Sequence, residues 1–181
     1  MMDSGLWVGV LTALTALGAS YITARATSRA ALTQARTAAL AQALREQRDR
    51  RRATYREMMR CAHDFSEVTW QIDDVDAAGD REGEDRLLTR MYERIGPAIG
   101  GLNRATHEVR LDGPADVSVA AEHVRQMARR LQPRLKALIG AGSPERREEY
   151  DSAFREFRDA YLAFITRARE ALEVRDEDPA L

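Results

Sequence analysis

From Arg25 to Ala78 the chain contains neither glycine nor proline, and this uninterrupted run is the strongest constraint on its fold. Glycine and proline end helices most readily, whereas the Ala, Leu, Arg, Gln and Glu that fill the run have high helix propensity. The composition therefore predicts one long helix that continues an N-terminal segment and reaches about Val75. Strands would need clusters of Val, Ile, Thr and aromatics between turns, and none of the 181 residues form one. The fold class expected is all-α.

Apolar residues at steps of three and four mark the faces that helices bury. The far end of the long helix carries Tyr55, Met58, Ala62, Phe65, Thr69 and Ile72 at this spacing. After the polar loop AAGDREGED, a second helix carries Leu88, Met91, Ile95, Ala98, Leu102, Ala105 and Val109. Its register survives Gly96-Pro97, so one kinked helix is expected. LDGPAD is a turn with Asp116 or Ser118 as helix cap, and Val117, Ala120, Val124, Met127, Leu131, Leu135 and Leu138 form the third stripe, bent at Pro133. Ser143 caps the fourth helix, Pro144 opens it, and Tyr150, Phe154, Phe157, Tyr161, Phe164, Ala168 and Ala171 line its face. Four stripes joined by short connections predict an antiparallel four-helix bundle.

Between Gly5 and Ala24 lie twenty residues without a charge. As a helix they would extend about 30 Å, the thickness of a bilayer's hydrocarbon core. Trp7 and Tyr21 near the two ends, and Arg25 directly after, complete the pattern of a transmembrane helix. A cleaved signal peptide would want basic residues first, and this chain begins MMDSG; a buried helix of a globular protein is the other rival. Arginines that follow the span predict an N-terminus outside, a cytoplasmic C-terminus and contact with membrane lipid. The domain organisation expected is an anchor over 1–24, an Ala/Arg-rich helical stalk over 25–52, a cytoplasmic helical bundle over 53–175 and a polar tail over 176–181.

A formal charge of −1 conceals a division along the chain. Residues 25–60 hold ten arginines against three acids, whereas residues 61–181 hold 18 basic and 25 acidic residues. Arg48, Arg50, Arg51 and Arg52 stand closest together. In an upright helix Arg48 would be about 36 Å from the end of the span, beyond a screening length of roughly 8 Å. These four are therefore expected to meet acidic residues of the bundle, a neighbouring subunit or a cytoplasmic protein partner, with a solvated charged face as the alternative, and are assigned to partner binding. Nucleic acid is not expected there, because no aromatics interleave the arginines.

No reaction is legible. Cys61 is the single cysteine, and His63, His107 and His123 have no Glu-x-x-His pairing of the kind that holds metals in bundles, so neither metal nor cofactor is expected. Gly140-Ala-Gly142 lacks the preceding strand and following lysine of a phosphate cradle. Thr69 is the one polar interruption of the stripes, where an enzyme or a small-ligand sensor with a pocket inside the bundle would need several.

Gly5, Gly9, Ala13, Ala16, Ser20, Ala24, Ser28, Ala31, Ala35, Ala38 and Gln42 form another line at steps of three and four, about 3.7 residues per turn. Small residues so spaced let two helices approach closely, which predicts self-association into a homo-oligomer through this stripe. The function expected is a membrane-anchored scaffold or adaptor.

The stretch from Gly5 to Met59, with its Arg-rich ITARATSRAALTQARTAALAQALREQRDRRRATYREMM, resembles uncharacterised actinobacterial single-span membrane proteins. The resemblance covers about a third of the chain and implies the anchor and bundle but no activity. The architecture is also similar to the peripheral-stalk subunit of ATP synthase, although Gly96-Pro97, Gly113-Pro114 and Ser143-Pro144 interrupt what would be a continuous stalk.

Overall fold

The computed structural model describes residues 4–140 and 143–173, with the side chains of 4–24, 26, 29 and 30 outside the description. Among the described residues every element is helical: α1 Ser4–Trp70, α2 Ile72–Asp76, α3 Arg81–Asp112, α4 Ala115–Leu138 and α5 Pro144–Glu173. The protein is all-α and its core is a helical bundle. Contacts divide the chain between Glu46 and Gln47, six residues before the expected boundary of the bundle.

One expectation is overturned. Among the described residues no helix is long and apolar enough to cross a membrane. A span needs about 20 predominantly apolar residues, and the described side chains of α1 carry arginine at 25, 36, 45, 48 and 50–52, with threonine and glutamine between. The transmembrane anchor and the single-pass placement, N-terminus outside and C-terminus cytoplasmic, are therefore withdrawn. The side chains of 5–24, on which that placement rested, lie outside the described residues.

The bundle follows the stripes closely. Tyr55, Met58, Ala62, Phe65, Thr69 and Ile72 are all buried, as are Tyr150, Phe157, Phe164 and Ala168 opposite them. Helical periodicity shifts four positions by one residue: Ile99, Ala121, Ala153 and Ala160 are buried where Ala98, Ala120, Phe154 and Tyr161 were expected, and those four are only partly covered. Phe65 and Phe157 meet at 4.7 Å between ring centroids, and Tyr55 meets Phe164 edge-on at 6.2 Å. Each buried aromatic of this kind contributes about 1.5–3 kcal/mol by leaving water. Pro97 and Pro133 both lie within continuous helices.

Hydrogen bonds record which helices touch. Tyr150 Oη donates to Thr69 O at 3.0 Å and Tyr161 Oη to Met59 O at 3.3 Å, which joins α5 to α1. Arg51 Nε donates to Asp112 O at 2.8 Å, and Thr54 Oγ1 to Asp112 Oδ2 at 2.9 Å, which joins α1 to the end of α3. Arg125 Nη1 reaches Asn103 Oδ1 at 3.4 Å between α4 and α3, and Arg146 Nη1 donates to Ala137 O at 3.0 Å between α5 and α4.

The helix ends differ from expectation in three places, the first being that α1 stops at Trp70 and the separate short helix α2 carries Val75. α3 begins within the expected loop, because Asp80 accepts the Gly83 N–H at 2.5 Å and caps it. α4 has Pro114 at its cap position with no side-chain bond, so neither Asp116 nor Ser118 caps it; Ser118 Oγ instead donates to Pro114 O at 3.0 Å. Ser143 Oγ does accept the Arg146 N–H, at 3.4 Å. Gly79 and Gly140 turn the chain with φ of +72° and +75°, values that cost other residues strain.

Candidate interaction surfaces

Two parts of α1 present apolar side chains to solvent, and the first is its arm before the bundle. From Ala31 to Leu40 every side chain is exposed, and Leu32, Leu40 and Leu44 are 61%, 68% and 57% exposed. At about 100° per residue, Leu40 and Leu44 share a face, with Leu32 at its edge. The same three-four spacing runs on through Gln47 and Arg51 to Tyr55, where α1 becomes a bundle helix. Local bonds within the arm are of the ordinary helical kind: Thr37 Oγ1 donates to Thr33 O at 3.0 Å and Gln42 Nε2 to Glu46 Oε1 at 3.0 Å.

Of the small-residue stripe, Ala31, Ala35 and Ala38 are exposed. They centre about 170° away from Leu40 and Leu44 around the helix. Gly5, Gly9, Ala13, Ala16, Ser20 and Ala24 have side chains outside the described residues. Leucines of the arm were overlooked because Arg36 and two threonines interleave them and disguise the apolar face.

The four arginines assigned to partner binding do not act alike. Arg51 is half-buried, and its bond to Asp112 O closes the C-terminal end of α3, where backbone carbonyls lack helical partners and the helix dipole favours a cation. It is a fold residue. Arg50 and Arg52 are exposed, and Arg48 is partly covered.

The second surface lies where α1 ends. Trp70 is 62% exposed, a large apolar ring on a solvent-facing side. Glu67, Gln71 and Asp74 surround it in a shallow open concavity. Residues 61–85 hold nine acids against Arg81 alone. Some of these acids serve the fold: Arg147 binds Asp76 at 2.5 Å and Asp151 at 3.0 Å, and Asp85 Oδ1 accepts the Gly140 N–H at 2.8 Å. Glu67 lies 3.4 Å from His63 Nε2 on the surface.

The groove lined by Ile72, Val75, Leu88 and Leu138 also contains Arg147 and Asp76, which pair with each other, and Asp85, which accepts the Gly140 N–H. The bundle core buries Thr54, Thr69 and Thr106, two more hydroxyls than the sequence stripes suggested. Thr69 and Thr106 donate to carbonyls three or four residues back in their own helices, while Thr54 donates to Asp112. Tyr55 Oη is buried with no hydrogen-bond partner among the described residues, above Gly113, where a β-carbon would come within 3.2 Å of it. Burial pushes the Tyr55 hydroxyl above its ordinary pKa, and pushes the Cys61 thiol to about 11 with Glu57 adding to the effect. Cys61 packs against Gly101, buried rather than poised for chemistry. His63, His107 and His123 are exposed, and no group of three metal-binding side chains occurs among the described residues.

No protein-family model, curated protein or solved structure matches this chain.

Proposed function

We propose that the protein is a helical scaffold or adaptor that associates with further copies and with protein partners through the arm of α1, residues 25–52. The observation that carries this reading is the exposure of Leu32, Leu40 and Leu44 along one helix. Isolated helices draw little stability from propensity and gain most from packing an apolar face. Leaving three leucines in water forgoes roughly 1.5–3 kcal/mol for each one buried. In this reading residues 53–173 form an antiparallel four-helix bundle that carries the arm. The pairings of Arg51 with Asp112, Tyr161 with Met59 and Arg146 with Ala137 favour opposite directions for successive helices. A catalytic or ligand-sensing bundle is disfavoured, because the buried hydroxyls of the three threonines are engaged by the protein itself, Thr54 with Asp112 and Thr69 and Thr106 with carbonyls of their own helices.

Sedimentation of the full chain against a Leu40→Glu/Leu44→Glu variant tests the proposal. The parent is expected to exceed its monomer mass of 20.3 kDa as concentration rises, and the variant to remain at it. A parent that stays monomeric throughout would overturn self-association.

A further inference from the structure

The arm's charge restricts what can cover it. Residues 25–45 contain Arg25, Arg29, Arg36 and Arg45 and no acid. Two such arms laid side by side would bring guanidinium groups together around the leucines, and like charges so placed repel. The complement of the arm is a surface that is both acidic and apolar.

The chain carries such a surface itself. Trp70, exposed on the last turn of α1, is flanked by the carboxylates of Glu67 and Asp74. An indole ring receives leucine side chains on its apolar area and an arginine on its face, and the flanking carboxylates pair with further arginines. Resting on the reading that the arm is an association helix, we infer that the Trp70 patch of one copy is the docking surface for the arm of a second copy. The contact is heterologous: arm and patch are different surfaces, so each copy gives with one and receives with the other. Such contacts grow into chains or close into rings instead of stopping at a symmetric dimer.

The inference is tested by complementation between two full-length variants. The arm variant is Leu40→Glu/Leu44→Glu, and the patch variant is Trp70→Ala/Asp74→Asn. A second patch variant, Glu67→Gln/Asp74→Asn, keeps the indole in case loss of Trp70 disturbs folding. Circular dichroism establishes that each remains helical. Each variant alone should sediment as a monomer, whereas an equimolar mixture should yield a species of twice the monomer mass, because one intact arm meets one intact patch. Raising salt from about 0.1 M to about 1 M, which shortens the screening length from roughly 10 Å to roughly 3 Å, should weaken association of the parent at least about tenfold. If both patch variants associate as the parent does while the arm variant is monomeric, the arm has another partner surface. The scaffold reading then survives and this inference is wrong. A mixture of folded variants that remains monomeric also overturns it.

Discussion

Residues 31–47 and residues 53–70 lie on one helix and both carry apolar side chains at helical spacing, yet they meet different fates. In the second stretch Tyr55, Met58, Ala62, Phe65 and Thr69 are buried against α3 and α5. In the first, leucines at equivalent spacing face solvent. Propensity and the absence of breakers suffice to make both helical, but burial depends on what stands opposite. An apolar face in the bundle is explained by the chain's own neighbours, and an apolar face in the arm asks for another molecule.

Removing apolar bulk should therefore act in opposite ways on the two regions. Phe157→Ala, which empties the space beside Phe65, is expected to lower unfolding free energy by about 3–5 kcal/mol in denaturant titration. Leu40→Ala, measured at a concentration where the chain is monomeric, should change stability by less than about 0.5 kcal/mol. Comparable losses from both would mean that the arm is packed in the monomer.

The next largest effect belongs to the junction of α3 and α4. A β-carbon at Gly113 would sit 2.7 Å from Val109 O and 3.2 Å from Tyr55 Oη. Gly113→Ala should therefore destabilise by about 1–3 kcal/mol, and the same measurement checks it. Arg51→Gln removes the charged donor to Asp112 O and should cost about 1.5 kcal/mol, while Arg52→Gln on the exposed face should cost almost nothing. Equal effects would contradict the division of the arginine run into fold and surface residues.

The smallest effect is a dependence on pH. The Arg125 hydrogen bond holds the Glu122 carboxyl down at about 2, against an ordinary value of 4.5, although burial works in the opposite direction. A carboxylate with a depressed folded pKa stabilises above its unfolded pKa, and that contribution fades as pH falls through the folded value. The stability difference between parent and Glu122→Gln should thus be constant above about pH 5 and vanish between about pH 4.5 and pH 2. A difference that persists at pH 2 would show that the pair does not act through charge.

Much of the bundle was legible because its information is local. The stripes in α1, α3, α4 and α5 name most of the core, since a helix repeats its buried face every three or four residues. Asp80 was missed as a cap because the loop around it is rich in acids and glycine, and several positions would serve. The role of Arg51 could not be read from a run of arginines, because it depends on the end of α3, 61 residues along the chain. Trp70 and the arm leucines were overlooked for a related reason. Spacing shows that a face is apolar, whereas only the arrangement of neighbours shows that it is uncovered. The charge-free N-terminal stretch, with Trp7 and Tyr21 near its ends and Arg25 after it, invited a membrane reading, and among the described residues no helix of the required apolar character is found.

Hydrogen exchange of backbone amides, compared at two protein concentrations, tests most directly the claim that the arm is covered by another copy and the bundle by its own chain. In dilute solution the amides of residues 31–46 should exchange quickly, while those of buried positions such as Met58, Leu102, Leu131 and Phe157 stay protected up to global unfolding. On concentration the arm should become protected and the bundle should not change. Arm amides that exchange equally fast at both concentrations, or that are already as protected as the bundle in dilute solution, would contradict the account.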